Sequence, residues 1–315
     1  MTLCALSRLG WVLLMLCAAS PSSSLVYAQQ ALDVPYVSTP MVVVEAMLNI
    51  ARVNAQDYVI DLGSGDGRIV ITAARKYGAR GFGVDLDGAL VSQARREAAR
   101  QGVSERVEFH ARNLFITDID QATVLTSYLA TAVNFRLRPR IFSELKPGTR
   151  VVSHEFDFGD WKPDAQVNVP VPGKPYGPPS SNVYLWIVPA HAAGRWTWRM
   201  PMQGGTIESE VTLEQTFQML RGTARASGVS ARLESAVLRG DEIALRIASS
   251  VGGHERIQEF EGRISGDTIR GAVRRVGAAE EIEWQANRVA RGKLNIDNAA
   301  SAPVFTARVE QNRDR

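Results

Sequence analysis

From residue 41 to residue 156 the apolar positions alternate between two spacings. Short apolar runs of strand length, such as Val59-Ile60-Asp61-Leu62, Gly83-Val84-Asp85 and RVEFHAR (106–112), are each followed by a longer segment. In RIVITAARKYGA and GALVSQARREAARQG that segment has helical periodicity. The alternation predicts βαβ units and a mostly parallel sheet, hence an α/β, Rossmann-like doubly wound domain over residues 29–190. Residues 159–182 (GDWKPDAQVNVPVPGKPYGPPSSN) hold six prolines and read as a loop, either a linker or a reach over a neighbouring surface. VYLWIVPA (183–190) reads as a strand.

Beyond Gly194 the helical period disappears. Alternating runs recur as SEVTLEQTFQML, ARLESAVLRG, EIALRIAS, RIQEFEGRI, DTIRGAVRR and IEWQANRV. Turn signals at Arg221-Gly222, Arg239-Gly240-Asp241 and Ser265-Gly266-Asp267 separate them. About seven strands in roughly 100 residues predict a small antiparallel β-barrel or sandwich over 191–292. Trp196, Trp198, Phe217 and Trp284 fall on the alternation and are expected in its core. The polar, aperiodic segment 293–315 reads as a disordered tail.

The first 28 residues interrupt this picture. Arg8 precedes the apolar run WVLLMLCAA, a Pro/Ser stretch follows, and Val26-Tyr27-Ala28 has the form of a cleavage site. The apolar run is about half the ~20 residues needed to span a bilayer. A bacterial Sec-type signal peptide over 1–28 is therefore expected, with a periplasmic or secreted mature protein and no stable membrane anchor. An uncleaved signal tethering the chain to the inner membrane is the alternative.

Both cysteines, Cys4 and Cys17, lie in that leader, so a mature chain lacks disulfides, thiolate metal sites and cysteine nucleophiles. The histidines at 110, 154, 191 and 254 lack metal-ligand spacing, and no metal is expected. A net charge of +3 with scattered basic residues gives no nucleic-acid footprint. At 315 residues the chain is long enough for two domains.

Candidate chemistry concentrates in VIDLGSGDGRIVI (59–71), an apolar strand, a turn with alternate glycines, and a helix start. Glycines there permit positive φ and close approach of a ligand to the backbone. A dinucleotide turn wants G-x-G-x-x-G; here the third glycine comes one place early and Arg68 stands where that motif needs glycine. Asp61 and Asp66 would repel a pyrophosphate but suit a cation such as S-adenosylmethionine (SAM), which bears an ammonium and a sulfonium. Asp85 ends the second strand and is placed to accept ribose hydroxyls, with Leu86 beside it. Asp87 reads instead as the N-cap of the following helix. The third strand ends at Asn113-Leu114, expected against the adenine.

These residues resemble motif I of class I SAM-dependent methyltransferases. DLGSGDGRIVI, the lead-in PYVSTP (35–40) and LRPRIFSELKPGTRVVSHEF (137–156) are similar to the lysine methyltransferases of the ATP-synthase c-subunit and their bacterial relatives. The last segment is also similar to non-SET histone-lysine methyltransferases. The likeness covers about residues 33–190 and implies a seven-strand sheet, SAM as cofactor and a protein lysine as acceptor. It implies that Asp61, Gly63, Ser64, Gly65 and Gly67 line the methionine end, Asp85 the ribose, and Tyr36 and Thr39 the cover of the cofactor. Asn113 stands where many relatives have Asp, and Ser38 where they often have Pro. No Asn/Asp-Pro-Pro-Tyr/Phe motif is present, which tells against adenine- and glutamine-methylating branches.

For the acceptor, Tyr128 and Asn134 are expected at the substrate channel. Glu155 and Asp157 are candidates to orient an ammonium or take its proton, and His154 to relay it. A small-molecule methyltransferase with the β-domain as lid stays open. So does an exported binding protein without turnover, because SAM is made in the cytoplasm.

Overall fold

Seven strands form the first sheet: β1 (Tyr58–Leu62), β2 (Arg80–Asp85), β3 (Val107–Ala111), β4 (Val124–Ser127), β5 (Arg150–His154), β6 (Ala165–Pro170) and β7 (Ser180–Ile187). Their order is β3-β2-β1-β4-β5-β7-β6. The first five are parallel, and β7 runs antiparallel between β5 and β6. The computed structural model describes residues 37–296, except 176, 203, 204, 252, 253 and 279. The leader 1–28, Tyr36 and residues 297–315 lie outside the described residues.

Helices flank both faces, as the doubly wound pattern requires. α1 (Met41–Ile50), α2 (Arg68–Tyr77) and α3 (Gly88–Arg100) cover one face, where Val59, Val124 and Val152 meet Val44, Met47 and Ile69. α4 (Thr131–Glu144) covers the other, packing Val133, Leu137 and Ile141 on Ile60, Leu125 and Val151. Strands buried on both sides lose the in–out alternation, and β1 is one, its apolar run broken only by the buried Asp61. Asp87 caps α3, its side chain accepting from the N–H groups of Ala89 and Leu90.

The proline-rich loop expected over 159–182 contains β6. Only Val169 of that strand is buried, and Pro170 closes it. An edge strand ending in proline loses no ladder bond it needs, so proline content hid it.

The second sheet is a barrel, not a sandwich. β8 (Gly194–Met202), β9 (Gly205–Thr216), β10 (Met219–Ala226), β11 (Val229–Arg239), β12 (Glu242–Val251), β13 (His254–Ser265), β14 (Thr268–Arg275) and β15 (Glu281–Arg291) pair each with the next. β15 pairs back onto β8 and closes the ring. Inward-facing Trp196, Trp198, Val211, Leu245, Phe260 and Trp284 fill it, as side chains fill small barrels. β16 (Leu294–Asn295) runs parallel to β9, so pairing extends into the segment read as a tail.

Arg221-Gly222 is not a turn: Gly222 lies within β10, where a Cβ would stand 2.0 Å from the Thr212 carbonyl oxygen of β9. The glycine marks a close strand crossing, and the turn falls at Phe217-Gln218, with Phe217 at φ 51°. Phe217 therefore leaves the barrel core. It packs on Phe142 of α4 and stacks on Trp161, with ring centroids 5.8 and 6.2 Å apart. Gln218 Nε2 donates to the Lys162 carbonyl at 2.7 Å, and the Ala190 N–H to the Gly240 carbonyl at 2.7 Å. Gly240 also lies against Gly148, just before β5 begins. The barrel thus seats on the face that α4 alone leaves partly bare, toward the amino ends of the parallel strands.

Candidate active site

The opposite end of the sheet, where β1, β2, β4 and β5 terminate, gathers the expected site residues. β1 leaves through Gly63-Ser64-Gly65-Asp66-Gly67, with glycine φ values of 78°, 53° and 79°. Only glycine enters that left-handed region without a Cβ penalty. Gly67 is doubly constrained, because a Cβ would stand 2.7 Å from the Phe109 ring and 2.8 Å from Ala94. The turn is pressed onto β2: Gly63 and Ser64 N–H both donate to the Val84 carbonyl at 2.9 Å. Gly65 N–H donates to Asp85 Oδ2 at 2.9 Å, and Asp87 N–H to Asp85 Oδ1 at 3.0 Å.

Asp61 forms the floor. It is 2% exposed and accepts a hydrogen bond from Thr126 Oγ1 at 2.7 Å. Burial pushes its carboxyl up to about 7, against the Thr126 bond and with help from the charges of Asp85 and Asp66. A buried carboxylate in that condition is short of a cationic partner. Ser64 Oγ, which lies over Gly83 of β2, and Ser127 Oγ at the end of β4 are buried without a hydrogen-bond partner. Turn, carboxylates and unpaired hydroxyls fit SAM, whose ammonium Asp61 would hold. Asp66, by contrast, is paired with Arg68.

The outer rim follows. The Arg112 N–H donates to the Asp85 carbonyl at 2.9 Å, which sets Asn113 beside the end of β2. Asn113 Oδ1 caps a single 3₁₀ turn by accepting from Phe115 N–H at 2.9 Å. Leu86 is exposed beyond Asp85, and Leu114 is half-buried. Thr39 lies under the site's edge, buried, bonded to His154.

On the acceptor side, Tyr128 follows β4 and stacks on His154 at 3.9 Å and on Phe156 at 6.0 Å between ring centroids. Asn134, fully buried in α4, donates from Nδ2 to the carbonyls of Phe156 (3.2 Å) and Asp157 (3.1 Å). It thereby shapes the loop after β5. Glu155 sits at φ 62° and is committed elsewhere: Lys174 Nζ bonds its carboxylate, and Asn182 N–H donates to Oε2 at 3.3 Å. Burial opposes its ionisation, yet the bonds from Lys174, Asn182 and Ser181 outweigh that and hold it below the usual carboxylate range. Burial pulls His154 down to about 4, and both its ring nitrogens are engaged. Asp157 turns back to accept from Gly159 N–H at 3.0 Å.

Thr126, Arg68, Ser127 and Ser181 complete the site and were not anticipated in these roles. The polar end of an otherwise apolar strand, VLTS, was the available signal for Thr126 and Ser127. Nothing local marks Ser181. Among the described residues no cluster of His, Cys, Asp or Glu is suited to a metal ion.

A family model described as the ANTKMT methyltransferase domain matches residues 61–165. A protein-lysine N-methyltransferase of Saccharolobus islandicus is 43% identical over 159 residues, covering 50% of this chain and 96% of that protein. The mouse adenine nucleotide translocase lysine N-methyltransferase is 38% identical over 137 residues, 43% of this chain and 59% of the relative. A crystal structure of an RNA methyltransferase from Salinibacter ruber in complex with S-adenosyl-L-homocysteine is 50% identical, covering 48% of this chain and 93% of that one, at a TM-score of 0.44.

Proposed function

The chain belongs to the SAM-dependent protein-lysine N-methyltransferase family, and from that premise we propose that it methylates a lysine of a protein partner at the crevice above Asp61. The observation that carries its cofactor half is Asp61 itself, a buried carboxyl in need of a cation beside a glycine turn, and likeness to lysine methyltransferases supports the acceptor.

Bound SAM would supply a methyl group on a sulfonium, taken in line by a neutral amine as S-adenosylhomocysteine leaves. Alignment of two reactants is worth ~7–11 kcal/mol of barrier. Asp61 would hold the cofactor's ammonium, and Asp85, which keeps the turn on β2, would face the ribose. The Tyr128 and Phe156 rings form an apolar wall against which a lysine, with a reference pKa of about 10.4, loses its proton more readily. Asn134 fixes that wall through the Phe156 carbonyl. Glu155 and His154 are bonded away from the crevice, so the amine's proton passes to solvent.

The chemistry of the rim supports a peptide acceptor. Met41, Val42, Leu86, Ile116 and Phe156 are exposed apolar residues near the carboxyl ends of the strands. The barrel joins the other end of the domain, which disfavours its use as a lid over a small molecule.

Radiolabelled SAM incubated with the full chain and a cell-envelope extract should label protein, with methyl-lysine found by mass spectrometry. Label that appears only in small molecules would overturn the proposal. Export, expected from residues 1–28, is tested by a reporter fused after residue 40. Cytoplasmic retention of that reporter would remove it.

A further inference from the structure

Thr39 is gripped from two sides. Its carbonyl oxygen accepts from Arg68 Nη1 at 2.7 Å, and its hydroxyl lies 3.2 Å from His154 Nδ1. Arg68 opens α2, and its Nε lies 2.8 and 3.0 Å from the carboxylate oxygens of Asp66 in the glycine turn. His154 ends β5, and its Nε2 is 3.1 Å from Ser181 Oγ on β7.

Asp66, Arg68, Thr39, His154 and Ser181 therefore form one chain of polar contacts from the cofactor turn to β7. In the sheet β4 separates β1 from β5, so a residue reached from both ends of this chain sits by the carboxyl end of β4. Tyr128, immediately after β4, rests its ring on His154. Thr39, His154 and Ser181 are all nearly inaccessible to water. Leaving one of their polar atoms unpaired would carry a desolvation penalty, so the three are mutually specified. Arg68 supplies the remaining link with a planar fork that lysine does not reproduce.

We propose that Arg68 and His154 are positioning residues that lock the lead-in 37–40 across the methyl-transfer crevice, tying the cofactor turn and the Tyr128 wall into one geometry. The inference rests on the methyltransferase reading above. His154 stays neutral at physiological pH, so the lock does not open by protonation there.

The test compares the full wild-type chain with Thr39→Val, Thr39→Ser and Arg68→Lys. S-adenosylhomocysteine is titrated calorimetrically, and hydrogen exchange is followed without ligand. Thr39→Val and Arg68→Lys should each weaken binding about tenfold, whereas Thr39→Ser stays within about twofold. The amides of Val43 and Val44, which bond the Pro40 carbonyl, should exchange faster in the two loosened variants only. Equal affinity and equal exchange in all four proteins would overturn the lock, as would a loss that Thr39→Ser fails to restore. A wild type that binds no S-adenosylhomocysteine would instead overturn the methyltransferase reading, and the exchange data alone would still decide the lock.

Discussion

A carboxyl group buried under three glycines works against the fold at neutral pH. Asp61 titrates near 7 in the folded chain, whereas an unfolded aspartate titrates near 3.9. Between those values the folded state holds the extra proton, so the contribution of Asp61 to stability is greatest at low pH and falls as pH rises toward 7. Asp61→Asn keeps an oxygen for the Thr126 hydroxyl and removes the charge. It should raise Tm at pH 8 by a few degrees while weakening S-adenosylhomocysteine binding by roughly 100-fold, the cost of removing one partner of a buried charge pair. A cationic ligand favours the ionised form, so wild-type affinity should rise about tenfold from pH 6 to pH 8. Thermal melts and titrations at both pH values check this; a pH-independent affinity in the wild type would refute it. The identity of Asp61 was legible from the strand-turn pattern, but its raised pKa comes from burial by the folded chain, which the Thr126 hydroxyl, 65 positions away, only partly offsets.

At the level of elements, the glycine turn shows how local and packing constraints combine. Gly67 caps α2 from a left-handed conformation and faces Phe109 and Ala94 with no space for a methyl group. Gly67→Ala should therefore cost about 3 kcal/mol, from backbone strain and overpacking together. Gly88→Ala, in the first turn of α3 with open space around it, should be neutral or stabilising by about 0.5 kcal/mol. Urea denaturation of the pair measures the difference, and equal stabilities would contradict the packing account. Gly63, Gly65 and Gly67 were legible because left-handed turns select glycine locally. Gly222 misled for the same reason: a glycine that makes room for a neighbouring strand looks in sequence like one that turns the chain. β6 was hidden by prolines that an edge strand tolerates.

At the scale of the whole molecule, an aromatic plug, Phe217, joins the Gln218–Lys162 and Ala190–Gly240 hydrogen bonds in holding the barrel to the methyltransferase domain. Phe217 sits between Trp161, Phe142 and the Arg138 guanidinium, 5.1 Å from its ring. Trimming it to Ala should destabilise the chain by about 3–5 kcal/mol. Calorimetry should show one transition in the wild type and two, one for each domain, in the variant. Unchanged single-step melting would mean that other contacts carry the coupling.

The sequence by itself determined the βαβ order, the glycine turn, the acidic ends of β1 and β2, the Asp87 cap and the run of hairpins. Each follows from backbone preference or from periodicity over a few residues. Only the tertiary structure decided that the hairpins close into a barrel, that Phe217 leaves its core, and that Lys174 engages Glu155. It also brought His154 to Thr39, 115 positions apart. Those outcomes depend on which distant side chains exclude water from one another, and no local period encodes that.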